Sequence, residues 1–203
     1  MNYLFIGAHC DDIEISSMGY LLKILKKDHN VFMVVCTLPS DCLQANIRKK
    51  EQEKVIKVLS KYKNFHFEFF KFIDGRLYDQ FLDLKDFIES FINKNNIEKV
   101  VTHFNNDTHP DHETLSKAVD CAARKISIIN FESPNVFGFV PNYFIELSKE
   151  DIKEKINLMK LHRSQNVKNN NFYIDKIKSN AIFRGQSVYC DYAEAFFIKR
   201  VKE

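Results

Sequence analysis

The stretch YLFIGAHCDDIEISSMGYLLKILKK, residues 3–27, carries the reading on which the fold turns. Tyr3–Ala8 is an unbroken apolar run of strand length that ends in Gly7-Ala8 and gives way at once to the polar cluster His9–Glu14. Over Ile15–Lys27 the apolar residues Met18, Leu21, Leu22 and Leu25 return at helical spacing. A strand that is apolar at every position is buried on both faces, the condition of a parallel sheet covered by helices on either side.

The pattern repeats down the chain. Val31–Thr37 reads as a second strand, Asn46–Tyr62 as a helix carried by Ile47, Val55, Ile56 and Leu59, and Phe65–Phe70 as a third strand before the Asp74-Gly75 turn. Phe81–Ile92 is helical, Val100–Thr102 is a short strand, and Glu113–Ile126 is helical again after the polar loop His103–Asp111. Four strand–helix alternations in about the first 125 residues imply right-handed crossovers. The expected fold class is α/β: a Rossmann-like, mostly parallel sheet with helices on both faces. Further on, Ser148–His162 reads as a helix opened by a Ser148/Asp151 capping box, and Ala193–Lys199 as a late strand. Without repeat, linker or low-complexity tract, residues 1–203 are expected to form one domain.

Composition excludes more than it selects. Thirty Lys+Arg against 27 Asp+Glu leave a formal charge of +3, with no long basic block, so no nucleic-acid partner is expected. Gly numbers only 5, and neither GxGxxG nor a Walker loop is present, which argues against a nucleotide site. The five cysteines (Cys10, Cys36, Cys42, Cys121, Cys190) are odd in number and lack CxxC spacing, so a reducing compartment is the expectation and neither disulfides nor a thiolate zinc site is. No apolar run approaches the ~20 residues of a membrane span, and no signal-peptide pattern opens the sequence. A cytoplasmic location without an integral membrane segment is the resulting expectation.

In an open parallel sheet the ligand crevice lies at the carboxyl ends of the strands. His9-Cys10-Asp11-Asp12-Ile13-Glu14 follows the first strand and Asp107-Thr108-His109-Pro110-Asp111-His112 the fourth, and neither contains Lys or Arg. Crowded carboxylates at one edge call for a cation, and imidazole plus carboxylate is a set that zinc accepts. Either half alone has a plainer reading: Asp11 or Asp12 capping the next helix, His109 and His112 on a surface loop. Their coincidence on one sheet edge favours a site.

Gly7-Ala8-His9-Cys10-Asp11-Asp12-Ile13-Glu14-Ile15, with Asp107–His112, resembles the LmbE-like, or PIG-L, zinc de-N-acetylases. Weaker matches follow in family order: Arg48-Lys49-Lys50-Glu51, Asp74-Gly75-Arg76-Leu77, His162-Arg163-Ser164-Gln165 and Tyr192-Ala193-Glu194-Ala195-Phe196. The resemblance implies one Zn²⁺ held by His9, Asp12 and His112. It implies Asp11 as general base and His109 as the group that stabilises the oxyanion or protonates the leaving amine; Asp111, two residues on, is expected to orient the His109 imidazole. It also implies contacts to an N-acetylated amino sugar, or its conjugate, from Arg48 and Asp74; Asp107 and Tyr192 are further candidates for lining the pocket. A formyl or other amide substrate, or a non-catalytic α/β binding module, remains open at this point. Cys10 stands where the family commonly has proline, and His103 at a strand end reads as a supporting rather than ligating histidine. With so much chain committed to strand–helix units, the C-terminal remainder is expected to supply most of the substrate pocket. The site is expected to be shallow and open, or walled by a neighbouring subunit of a homo-oligomer.

Overall fold

Strand β1 (Asn2–Gly7) runs into α1 (Asp12–Ser16) and α2 (Met18–Lys26), then β2 (Asn30–Leu38), α3 (Cys42–Leu59) and β3 (Phe65–Ile73). A 3₁₀ turn (Tyr78–Gln80) leads into α4 (Phe81–Lys94), β4 (Lys99–His103), α5 (Pro110–Ala122) and β5 (Ser127–Phe131). The chain closes with β6 (Tyr143–Leu147), α6 (Lys149–Met159), α7 (Arg163–Lys168), α8 (Phe172–Gln186) and β7 (Tyr192–Arg200). This computed structural model describes residues 1–38, 42–168 and 172–202.

The seven strands form one sheet in the order β3-β2-β1-β4-β5-β7-β6. β1 to β5 pair in parallel, and β7 is antiparallel to both β5 and β6. The chain first builds outward from β1 to β3 and then crosses to build β4 and β5 on the other side. The switch point, where a crevice opens in such sheets, therefore lies between the carboxyl ends of β1 and β4.

Alternation along β1 distributes the core. Tyr3 and Phe5 face one layer with Leu21, Leu25, Val55 and Leu59; Leu4, Ile6 and Ala8 face the other with Leu84, Ile88, Leu115 and Val119. A third cluster packs Ile15 and Leu147 against Ile152, Ile156, Ile174 and Ile177 of α6 and α8. The Ser148/Asp151 capping box is present at α6.

The structure departs from the expected elements in two places. The helix expected over Ile15–Lys27 is two helices meeting at Ser17, whose φ of −140° leaves the helical region. Both oxygens of the buried Glu194 carboxylate take the first free amides of α2: Gly19 N–H at 2.9 Å and Tyr20 N–H at 2.7 Å. That tertiary contact satisfies the helix start from β7 and outweighs the local periodicity. The second departure is β5, β6, α7 and α8, which the sequence reading does not delineate.

Candidate metal and catalytic site

The loop after β1 needs a glycine and a left-handed aspartate. A Cβ on Gly7 would stand 3.0 Å from Asp12 Cβ and 3.3 Å from Ile13 Cγ1, so only glycine lets the turn fold back on the strand. Asp11 has φ 87°, a region that Asp enters more readily than most residues. This twist sends the two successive carboxylates in different directions, Asp11 to α3 and Asp12 to the end of β4.

On the other side of the crevice, α5 starts with Pro110 in its first turn and His109 as N-cap, whose Nδ1 accepts the Asp111 N–H at 3.2 Å. Pro has no N–H to leave unsatisfied there. The cap also fixes a tautomer: with Nδ1 accepting, a neutral His109 carries its proton on Nε2.

Three side-chain donors converge between the loops. His9 Nδ1 lies 3.3 Å from His112 Nε2, His112 Nε2 3.4 Å from Asp12 Oδ1, and His9 Nδ1 3.5 Å from Asp12 Oδ2. Donors about 2.1 Å from a tetrahedral Zn²⁺ stand about 3.4 Å from one another, which is the spacing of the two imidazole nitrogens here and of each nitrogen from one or the other oxygen of Asp12. His103 with Asp12 and His112, His109 with His9 and His112, and Asp74 with His9 and Asp111 form overlapping groups of ligand type. The hydrogen bonds separate them. His112 Nδ1 is engaged by Asp107 Oδ2 at 3.0 Å, and His9 Nε2 by Asp111 Oδ2 at 3.2 Å and Asp74 Oδ1 at 3.1 Å. His109 Nδ1 is taken by its own cap. The remaining nitrogens of His9 and His112 are the ones that meet Asp12. His103 Nε2 is 3.1 Å from Asp12 Oδ2, and its ring stacks on His112 at 3.9 Å, a supporting position. Each donor thus has an outer partner that sets its orientation.

Asp11 sits beside the triangle in an ion pair. Arg48 Nη2 donates to Asp11 Oδ1 at 3.0 Å and to the Cys10 carbonyl at 2.9 Å. Burial pushes the Asp11 carboxyl up to about 6, against the opposing pull of Arg48 and with the aid of Asp12's charge. Burial lowers the pKa of His109, as does positive charge on His9 and His112. A carboxyl group raised towards neutrality and an imidazole with a lowered pKa therefore flank this cluster.

A cavity of about 250 Å³ opens over these groups. His9, Asp11, Asp12, His109, His112, Arg48 and Asp74 line it, with Ile15, Pro134, Asn135, Gln165 and Tyr173. Most of the lining comes from the strand–helix units, and the C-terminal remainder adds one wall, less than expected. Pro134, Asn135 and Tyr173 were not singled out from sequence, where no charge or motif marks them.

Three expected placements differ in detail. Asp107 is turned to His112, the His109 N–H (2.9 Å) and the Ser133 hydroxyl, and is absent from the cavity lining. Asp111 places its carboxylate on His9 and on the Gly75 and Leu77 amides, and meets His109 only through its backbone N–H. Tyr192 opens β7, pairs with Leu147 and packs on the third core cluster, away from the cavity lining. Cys10 is buried, and burial raises its thiol pKa. No helix among the described residues is long and apolar enough to cross a membrane.

Residues 4–123 match the PIG-L family model, described as GlcNAc-PI de-N-acetylase. A protein of Escherichia coli (strain K12) named "Uncharacterized deacetylase YaiS" is 30% identical over 170 residues, covering 79% of this chain and 90% of that protein. Among solved structures, the N,N'-diacetylchitobiose deacetylase of Pyrococcus horikoshii superposes with a TM-score of 0.77 at 19% identity, over 97% of this chain and 83% of that one. GalB, the 4-carboxy-2-hydroxymuconate hydratase of Pseudomonas putida KT2440, superposes with a TM-score of 0.74 at 17% identity, over 100% of this chain and 98% of that one. The structural likenesses establish the fold, which is shared by proteins described by different reactions.

Proposed function

The chain belongs to the PIG-L family, of GlcNAc-PI de-N-acetylase type, and from that premise we propose that it is a zinc-dependent amidohydrolase. It removes the acetyl group from an N-acetylated amino sugar or a conjugate of one, acting as a single domain over residues 1–203. The carrying observation is the triangle of His9 Nδ1, Asp12 and His112 Nε2, with edges of 3.3–3.5 Å, beside a base held by Arg48.

His9, Asp12 and His112 are the residues that would hold the ion, which when bound would supply Lewis-acid polarisation of the acyl carbonyl and acidify a water molecule. Asp11 takes the proton from the attacking water. Arg48 occupies its Oδ1, so the proton goes to Oδ2, and a carboxyl group with a pKa of about 6 is mostly ionised at pH 7 and ready to accept it. His109 presents Nε2–H to the oxyanion that forms as the amide carbon becomes tetrahedral. The proton held by Asp11 then passes to the amide nitrogen as the C–N bond breaks, leaving acetate and the free amine. Asp74, on the cavity wall, is placed to accept a hydrogen bond from a sugar hydroxyl. Asp107 and Asp111 act through His112 and His9.

The test is acetate and formate release from a panel of acylated amino sugars and their conjugates by zinc-loaded protein. Asp11→Asn is expected to keep about one zinc per chain and to lower turnover by 10²–10⁴, the range of a lost general base. Full turnover by that variant overturns the assignment of Asp11. Formate release without acetate release moves the reading to a deformylase. GalB's reaction is tested in the same way, by hydration of an unsaturated carboxylate.

A further inference from the structure

A second, smaller cavity of about 30 Å³ lies next to the first, and Ile15 and Pro134 line both. Its other walls come from α1, α6, α8 and β7, and it contains three cationic side chains, Lys155, Lys176 and Arg184, against two carboxylates, Glu132 and Glu194. Both carboxylates are already committed. Glu132 is held at both oxygens by Arg184, at 2.6 and 2.9 Å. Glu194 takes Lys155 Nζ at 2.6 Å and two amides of α2, so one charge is matched and its remaining accepting capacity is spent on backbone. Lys176 is half-buried; its carbonyl accepts from the Ser179 hydroxyl, but its ammonium has no ion-pair or hydrogen-bond partner among the described residues. Ser16, also on the wall and only 6% exposed, keeps a hydroxyl with no partner. Buried polar groups without partners are uncommon and call for an explanation.

From this pairing of an uncommitted ammonium with an unsatisfied buried hydroxyl, in a net-positive cavity adjoining the catalytic one, we propose a subsite for a carboxylate carried by the substrate. It rests on the amidohydrolase reading above, which supplies the substrate's other end. The space suits a carboxylate, since it accommodates about two water molecules. Lys176 supplies the charge-assisted hydrogen bond, Ser16 a neutral one, and the Ile15–Pro134 divide sets the distance between scissile amide and anion.

The test compares kcat/KM for acetate release from N-acetylglucosamine with that from two carboxylated relatives, N-acetylmuramic acid and N-acetylglucosaminuronic acid. The wild-type protein is expected to prefer at least one carboxylated sugar. Lys176→Ala reduces that preference about tenfold through KM, as for loss of a charge-assisted hydrogen bond, and Lys176→Arg restores most of it. A wild-type protein indifferent to both carboxylates, or a preference unmoved by Lys176→Ala, overturns the subsite. If none of the three sugars releases acetate, the deacetylase reading fails for these substrates. Calorimetric binding of the carboxylated sugars to wild type and Lys176→Ala then tests the subsite alone, with the same tenfold difference expected and equal affinities overturning it.

Discussion

Replacing Asp107 with Asn changes one atom and tests the whole coordination scheme. Asp107 Oδ2 lies 3.0 Å from His112 Nδ1, and Oδ1 accepts the His109 N–H at 2.9 Å. A carboxylate only accepts, so the His112 proton stays on Nδ1 and Nε2 keeps the lone pair that meets His9 and Asp12. Asn has the same shape but carries two N–H donors on one side. With its oxygen toward His112, its amide group meets the His109 N–H, donor against donor. With the amide reversed, it meets His112 Nδ1 and drives the proton onto Nε2, which removes a ligand lone pair. The Ser133 hydroxyl can donate or accept, so it suits either orientation. One buried donor without an acceptor costs about 1–3 kcal/mol. Loss of an outer-shell partner typically weakens metal binding 10–100-fold, about 1.4–2.8 kcal/mol, so the two routes agree. Zinc affinity is measured by competition with a chromophoric chelator at pH 7.5, with the melting curve of the metal-free protein as control for folding. If Asp107→Asn melts like wild type and binds zinc within twofold of it, Asp107 does not set the His112 tautomer, and the choice of His112 Nε2 as ligand falls.

Three further outcomes test other levels of the structure. Tyr192→Phe should leave kcat/KM for acetate release within twofold of wild type, because Tyr192 packs on the third core cluster; Tyr173→Ala should raise KM, because Tyr173 lines the cavity. Steady-state kinetics of both variants decide the matter, and a large loss with Tyr192→Phe would restore Tyr192 to the pocket. Gly185→Ala reverses the usual sign for a helix: Ala is ordinarily better by about 1 kcal/mol, but here the new Cβ would lie 2.6 Å from the Cys190 carbonyl oxygen and 2.8 Å from Tyr192 N, both backbone. We expect about 1–3 kcal/mol of destabilisation in urea unfolding, and a stabilised variant would show that the α8–β7 turn is not so tightly packed. Asp151, in the α6 capping box and against Lys26, has its pKa lowered: burial opposes the shift, while the Ser148 amide and Lys26 produce it. A depressed folded-state value means stability that is present above the unfolded value near 3.9 and lost as pH falls through the folded one. Asp151→Asn should therefore cost about 1 kcal/mol at pH 7, and the gap to wild type should close as the pH falls through the lowered folded-state value in paired urea titrations; a gap that persists in strong acid refutes the linkage.

The parallel half of the fold was legible because its strands are buried on both faces. Leu4, Phe5 and Ile6 have to be apolar at every position, and the crossover helices display clear stripes such as Leu84, Ile88 and Phe91. The later elements lack both signals. α8 buries Ile174, Ile177, Ala181 and Gly185 on one face, but Phe172, Ile182 and Phe183 are exposed apolar residues on the same helix, and they blur the period. β6 is mostly half-buried at one edge of the sheet, where little forces a hydrophobic pattern on it. The break at Ser17 depends on Glu194, 177 positions downstream, and no local rule reads a contact that distant.

The site divides along the same line between local and distant. His9, Asp11, Asp12, His109 and His112 were legible because each cluster is short, and a parallel sheet brings strand ends into register without further information. What the sequence left open is which atom of each residue faces the site. Asp107 and Asp111 have the same composition and nearly the same place as ligands, yet they end up behind His112 and His9, because each imidazole has two nitrogens and one must be occupied for the other to be free. Asp11 and Asp12 are indistinguishable by type; the left-handed φ of 87° at Asp11 separates them, and Arg48 from α3 fixes the result. A motif therefore names the residues of such a centre, while which atom of each faces the site is set by hydrogen-bond partners both inside it, Asp107 and Asp111, and outside it, Arg48 and Asp74. Arg48, Asp74 and Ser133 belong to the same hydrogen-bond network as the two short strings that first marked it.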